Sequence, residues 1–374
     1  MKLQSLSVLV SAMVMVGSTG AAEVYHTDSN RLDLYGELNG IRYISADEDK
    51  NGDGSFVCYG LRGETQFGEN LIGFGTFEQE VKLTSSPKEE RSNHFSRLGF
   101  VGFKLGDLGS IDYGRNFGVL YDIGRWTYIM PEFGGDTSIN DNFLSSQANG
   151  VFTYRNSDFF GMLDGFNFAL QYQGNSDSKV DKDKIRQLSR KANGDGYGLA
   201  LTYNLNNGLS ISSAYTSSNR TLAQRTLTIS SDPNQKAEAY SFGLKYDAYN
   251  LYLAALYSET KHMTPYGDFS GNKNGEQIYG FAEKLKNLEV VAQYQFDFGF
   301  RPSVGYLQSQ ISDNNEGKTQ NIKKYIAVGA SYNLNKNILS FVNYRVNLLA
   351  KGDFIHKAKI STDNIIALGM TYIF

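Results

Sequence analysis

Apolar and polar residues alternate one by one in segment after segment of this chain, and its last segment shows the consequence most sharply. Phe374, Tyr372, Met370, Leu368 and Ile366 share one parity, with Thr371, Gly369 and Ala367 between them. Successive side chains of a strand point to opposite faces, so the segment has one large apolar face and one mostly small face. An apolar face packs on a soluble core or faces lipid. An aromatic pair at the very end of the chain favours lipid, because aromatic rings gather at the membrane–water boundary. The pattern predicts a transmembrane β-barrel.

The same alternation runs along nearly the whole chain. Over 32–44, Leu32, Leu34 and Leu38 oppose Asp33, Glu37 and Asn39. Over 56–67, Val57, Tyr59 and Leu61 oppose Arg62, Glu64 and Gln66. Comparable segments cover 70–83, 95–104, 109–115, 150–156, 166–174, 196–205, 209–218 and 237–247. The set closes with 250–260, 288–298, 301–310, 323–334, 337–348 and 363–374. That makes about sixteen strands, most near the ~9–11 residues that a tilted membrane strand needs.

The connections alternate too. Short turns such as Gly68-Glu69-Asn70, Gly106-Asp107-Leu108, Asn206-Asn207-Gly208, Asp247-Ala248-Tyr249 and Asn335-Lys336 are interleaved with long loops. The long ones cover 45–55, 84–94, 116–149, 175–195, 219–236, 261–287, 311–322 and 349–362. Outer-membrane barrels have this asymmetry, with tight periplasmic turns and long outer loops. The faces opposite the apolar ones are charged, so they must line a wet lumen. About sixteen strands enclose more space than their own side chains fill, which leaves an aqueous channel.

The N-terminus fits an exported protein. Lys2 precedes an apolar run from Leu6 to Val16, and Thr19-Gly20-Ala21 supplies small residues where a signal peptidase cuts. Residues 1–21 read as a secretory signal and 22–374 as the mature barrel. Twenty-five Tyr, 24 Phe and 39 Gly against 5 Pro suit strands and interfacial girdles. The full chain carries a formal charge of −3, and removal of Lys2 makes the mature chain more acidic. That argues against nucleic acid as a partner, since a binder carries a basic patch. The single Cys58 excludes an intrachain disulfide, so a closed hydrogen-bond ladder is the expected source of stability.

Specific blocks then carry a family resemblance. They are Ala22-Glu23-Val24-Tyr25, Leu32-Asp33-Leu34-Tyr35-Gly36, Gly63-Glu64-Thr65-Gln66 and Ile111-Asp112-Tyr113-Gly114-Arg115-Asn116. Further ones are Pro131-Glu132-Phe133-Gly134-Gly135-Asp136-Thr137, Thr153-Tyr154-Arg155-Asn156, Phe166-Asn167-Phe168-Ala169 and 292–299. Together they span the mature chain, which resembles the enterobacterial general porins of the osmoporin and matrix-porin type. The resemblance implies an all-β, antiparallel barrel in the outer membrane of a Gram-negative bacterium, assembled as a homotrimer. It implies passive diffusion of ions and small hydrophilic solutes, with no cofactor. It also implies contact with outer-membrane lipid and lipopolysaccharide, and handling by barrel-assembly machinery that reads Phe374 as an assembly signal.

In that family the third outer loop folds into the barrel, and acidic residues on it face basic residues on the opposite wall. Pro131, Glu132, Phe133, Gly134, Gly135 and Asp136 match the loop tip. Glu132 and Arg97 match the family's acid and base. Four positions depart from it: Glu37 stands where a lysine is usual, Cys58 and Gln147 where wall arginines are expected, and Tyr128 where the loop has an acid. The six positions are formally +2 in the family pattern and −1 here, which predicts a cation-preferring pore with a weaker transverse field. Arg125, also on the loop, restores positive charge if it faces the lumen. Strand parity puts Cys58 on the lumenal face with Arg62 and Glu64, as a small filler or as a reactive thiol. The family's second loop reaches the neighbouring subunit, which makes Glu89, Glu90 and Arg115 candidate trimer contacts.

Other motifs carry less. Asp47-Glu48-Asp49-Lys50-Asn51-Gly52 begins like an EF-hand loop, but its twelfth position is Cys58 and its flanks are strands, so a solvated acidic loop is expected. Weak divalent bridging to lipopolysaccharide is the residual reading. Lys182, Lys184, Arg186, Arg190 and Lys191 make one outer loop basic, diluted by Asp181 and Asp183. His26, His94, His262 and His356 are scattered and show no triad or metal spacing, so no enzyme and no metal site is expected. The alternatives to a general channel are a substrate-preferring channel, or outer loops recognised by phage or host.

Overall fold

The computed structural model describes residues 22–84, 94–135, 141–176, 190–226, 236–267, 269, 278–312 and 319–374. Sixteen long strands dominate it. They are β1 (Asn30–Ser45), β2 (Phe56–Gly68), β3 (Leu71–Lys82), β4 (His94–Lys104), β5 (Ser110–Phe117) and β6 (Gln147–Asn156). Then come β7 (Phe166–Gln173), β8 (Gly196–Asn204), β9 (Leu209–Ser218), β10 (Ala237–Ala248) and β11 (Leu251–Lys261). The last five are β12 (Lys284–Tyr294), β13 (Phe300–Ser312), β14 (Thr319–Asn333), β15 (Ile338–Asn347) and β16 (Ile365–Ile373). Each pairs antiparallel with its neighbour in sequence, and β16 returns to β1.

Closure uses both ends of the chain. β16 pairs with β1 from Ser45↔Ile365 to Glu37↔Ile373. Phe374 adds two more ladder bonds, its N–H to the Gly36 carbonyl at 3.0 Å and its carbonyl from the Gly36 N–H at 2.9 Å. The short strand Ala22–His26 takes the remaining edge of β1, from Ala22↔Leu34 to His26↔Arg31. β1 is thereby paired on both sides along its length, which closes the barrel.

The alternation resolves into two surfaces. Leu61, Phe77, Val101, Phe152, Leu170, Val290, Val328 and Leu368 are exposed on the outside. Asp33, Asn39, Glu78, Asp112, Thr153, Gln171, Gln293 and Asn343 are buried on the inside. No helix among the described residues is long and apolar enough to cross a membrane.

The turns follow the expected alternation, with one shift. Tyr249 and Asn250, at φ 55° and 62°, form the two-residue turn between β10 and β11 that a right-handed strand twist favours. The strand expected over 288–298 instead runs Lys284–Tyr294. Phe296 and Phe298 continue the alternation like strand residues but belong to the turn before β13. The Phe296 N–H donates to the Phe300 carbonyl at 2.9 Å, and Gly299 sits at φ 92°, open only to glycine without strain. The rings pack on one another, Phe298 on Phe300 at 6.1 Å, and Phe298 stays exposed. The preceding outer loop holds a small hairpin, Pro265–Gly267 with Tyr279–Phe281. In the first outer loop the Asp47 carboxylate accepts from the Asp49 N–H at 3.1 Å, an ordinary capped turn. Among the described residues no His, Cys, Asp and Glu group is arranged to hold a metal.

Candidate pore constriction

The third outer loop leaves β5 at Phe117 and rejoins the barrel at Gln147, and its described part from Phe117 to Gly135 runs along the inner wall. A loop inside a barrel needs partners for its backbone, and inward polar residues of the wall supply them. Gln171 accepts from the Val119 N–H at 2.7 Å and donates to the Phe117 carbonyl at 2.8 Å. Tyr252 donates to the Trp126 carbonyl at 2.8 Å and Gln293 to the Ile129 carbonyl at 2.7 Å. The Thr127 hydroxyl bonds Glu289. Finally Asn343 accepts from the N–H groups of Glu132 and Phe133, at 3.2 and 2.8 Å. The loop thus passes from β7 across β11 and β12 to β15.

Its apolar side chains need space against that wall, and glycines provide it. A Cβ on Gly198 would lie 2.6 Å from Val119, and one on Gly243 would lie 2.5 Å from Ile123 and 3.0 Å from Trp126. The signal for this was present in the sequence as glycine on the inward parity of β8 and β10.

The tip docks on β1 and β15. Tyr43 donates to Glu132 Oε1 at 2.6 Å. The Phe133 ring lies 6.5 Å from the Tyr43 ring and 5.2 Å from the Arg345 guanidinium. Gly134 and Gly135 turn the chain at φ 125° and 62°. Burial pushes the Glu132 carboxyl above the usual range, with the Tyr43 bond opposing it. Asp136 lies outside the described residues.

On another stretch of wall, Glu37, Cys58 and Glu80 face one another in register across β1, β2 and β3. Arg97 joins them from β4. By simple parity Arg97 shares the outward face of Gly99, Val101 and Phe103. The register shifts at this point, with Glu78 opposite Leu98 and Gln79 opposite Ser96, so Arg97 is the extra residue of a β-bulge. A bulge re-aims a side chain, and this one turns Arg97 inward. There it bonds Glu78 at 2.7 Å and Glu80 at 2.9 Å. Tyr35 also donates to Glu78, at 3.1 Å. Glu78 and Glu80 did not stand out in the sequence, although their parity opposite Phe77 made them inward. Cys58 lies on the inner side but is only 2% exposed, which favours the small-filler reading over a reactive thiol.

The remaining positions do not join this cluster. Arg125 donates to the Asp122 carbonyl at 3.3 Å, while the Asp122 carboxylate is taken by Arg155 at 2.7 Å. Burial lowers the Arg125 pKa from its usual value. Tyr128 is about a third exposed and packs under Gly135. Gln147 opens β6 opposite Phe117. Its carbonyl accepts from Arg115, which also donates to the Ser96 carbonyl at 2.7 Å and to Asn149 at 2.9 Å. Arg115 thus bonds groups of its own chain, while Glu89 and Glu90 lie outside the described residues.

Residues 27–374 match the model of the Gram-negative porin family. The chain is 47% identical to outer membrane porin C of Enterobacter cloacae, over all of both chains. It is 46% identical to outer membrane porin C of Salmonella typhimurium, again over all of both. Among solved structures, that of Salmonella typhi OmpF in complex with daunomycin superposes with a TM-score of 0.84 at 39% identity, covering 94% of this chain and 100% of that one.

Proposed function

The chain belongs to the Gram-negative porin family and forms a passive diffusion channel in the outer membrane, and we propose that this channel prefers cations and works as a homotrimer. One observation carries the cation preference: Glu37 and Cys58 occupy adjacent inward positions of the wall where the family pattern has bases. A carboxylate beside a narrow, low-dielectric passage raises the local cation concentration. Glu132 adds a second acid, on the loop; Arg125 donates to the Asp122 carbonyl. The test is the reversal potential of single channels in a KCl gradient across a planar bilayer. A potential of cationic sign is expected, and one of anionic sign overturns the proposal.

The outward face over β2 to β6 supports the trimer. Glycines 63, 73 and 75 leave a groove there, flanked by Phe67, Val101, Phe103, Tyr113 and Phe152. Above it lie polar outward residues that lipid would not favour, Gln79 bonded by Tyr59 at 2.9 Å and Arg115 bonded to Asn149. A band stable to mild detergent at three times the subunit mass is the expected result. On the other side of the barrel, exposed Lys286 stands on the outward face near Tyr257, which supports contact with lipopolysaccharide phosphates; Lys284 beside it is paired with Glu259 at 2.6 Å. We assign residues 1–21 to the export signal and Phe374 to recognition by the assembly machinery; N-terminal sequencing of the mature protein, expected to begin at Ala22, tests the first.

A further inference from the structure

We infer that Glu80 is a specificity-determining residue of the channel, because it places a second carboxylate on the guanidinium of Arg97 and makes that wall more negative. The inference rests on the cation-preferring reading above and names a residue that the family comparison of charged positions did not include.

Glu37, Cys58 and Glu80 are direct neighbours across three strands, on the parity that faces the lumen. Arg97 is turned toward them by the bulge in β4. Its guanidinium uses Nε on Glu78 and Nη1 on Glu80. Charge-assisted bonds of this kind are short and stronger than neutral ones, so the three side chains form one unit.

Exposure then decides what a passing ion meets. The Glu78 side chain is 4% exposed, whereas Arg97 and Glu80 are 30% and 22% exposed. Glu78 and Arg97 alone would make a neutral pair with the cation turned to the lumen. Glu80 places a second carboxylate on the same guanidinium, and this one is more exposed than Glu78. With Glu37 beside it, the cluster on Arg97 sets three carboxylates against one guanidinium; Arg62, the next cation on this wall, lies over the Tyr35 ring at 5.3 Å. The arginine that matches the family's base therefore supplies no positive field here. Low-dielectric walls focus what charge remains into the passage, and rings or rungs of carboxylates select cations.

The test compares reversal potentials in a KCl gradient for the wild type, Glu80→Gln and Glu80→Asp, each in the full-length, folded barrel. Glu80→Gln is expected to lower the cation-to-anion permeability ratio roughly two- to five-fold, the scale of one unit charge a few ångströms from an ion in water. Glu80→Asp is expected to retain the wild-type ratio. Should Glu80→Gln fail to reach the folded, heat-modifiable form, Glu80→Asn replaces it, with the same drop expected. A neutral variant whose ratio equals the wild type overturns the role of Glu80, whichever ion the wild type prefers. A wild-type channel that prefers anions, with a ratio still falling on Glu80→Gln, overturns the cation-preferring reading and leaves Glu80 in place.

Discussion

The Tyr43 hydroxyl donates to Glu132 Oε1 at 2.6 Å, joining the first long strand to the tip of a loop 89 residues further along the chain. This bond, with Asn343 beneath the same tip, fixes how far the loop reaches across the lumen. Tyr43→Phe removes the donor and keeps the ring that faces Phe133. A hydrogen bond to a charged group contributes about 1.5–3 kcal/mol. The loop tip of the variant is therefore expected to leave the wall more often. Single-channel records should show more frequent brief closures at unchanged main conductance; a quiet trace equal to the wild type would refute the latch.

Glu132 also gives a pH dependence with a definite sign. Burial raises its carboxyl above the ordinary value, so the folded chain holds that proton more tightly than the unfolded chain. Its contribution to stability is present below the ordinary carboxylate value and is lost as pH rises through the raised one. Ion preference runs the other way, because only the ionised form attracts cations. The cation preference carried by Glu132 should fall on acidification, starting at a higher pH than for a carboxylate in water. A pH series of reversal potentials on wild type and Glu132→Gln isolates this part as the difference between two curves. A difference centred at or below the usual glutamate range would contradict it.

Gly243 tests the seating of the loop from the wall side. A Cβ there already meets Ile123 at 2.5 Å, so Gly243→Val forces the loop toward the lumen. Overpacking of this kind costs about 1–3 kcal/mol. The variant is expected to unfold at lower temperature and to conduct less. Gly305→Ala is the control, since its nearest neighbour, Met130, is at an ordinary 3.6 Å.

How much of this was legible in the sequence depends on what each feature needs. Parity alone finds strands, and it placed fifteen of the sixteen within a few residues of their observed bounds because their outward faces are consistently apolar. It misplaced β12 by four residues because a turn built of stacked phenylalanines mimics a strand. The constriction was less legible. Arg97 lies inward only through a bulge, and a bulge is a property of pairing that one strand cannot reveal. Glu80 was readable as inward, but its bond to Arg97 depends on the same bulge. Tyr43 and Asn343 hold the loop tip across long separations, which no local pattern encodes.

Cys58 makes a separate, simple expectation. Its 2% exposure leaves little access for a bulky charged reagent. Methanethiosulfonate reagents should leave the conductance of the folded channel unchanged and should react once the barrel is unfolded. Rapid labelling of the folded channel would instead restore the reactive-thiol reading.

The last prediction returns to the closure of the barrel at Gly36 and Phe374. Their two reciprocal backbone bonds continue the ladder between β1 and β16 beyond Ile373. The Phe374 ring also lies over Gly36, where a Cβ would meet it at 2.7 Å and the Cys58 carbonyl at 2.6 Å. Gly36→Val therefore attacks the seam from the strand side, and deletion of Phe374 attacks it from the chain end. Both leave backbone groups of β1 without partners, and in lipid each such group costs several kcal/mol. Both variants should accumulate in the unfolded, heat-insensitive form on gels. The two differ in what they remove. Gly36→Val keeps the terminal aromatic that the assembly machinery is proposed to read, so purified Gly36→Val should refold poorly in detergent as well as in cells. If Phe374 acts chiefly as an assembly signal, its deletion should hinder insertion in cells more than refolding in detergent. Equal refolding of Gly36→Val and wild type in detergent would show that the seam tolerates the added side chain, and would overturn the steric argument.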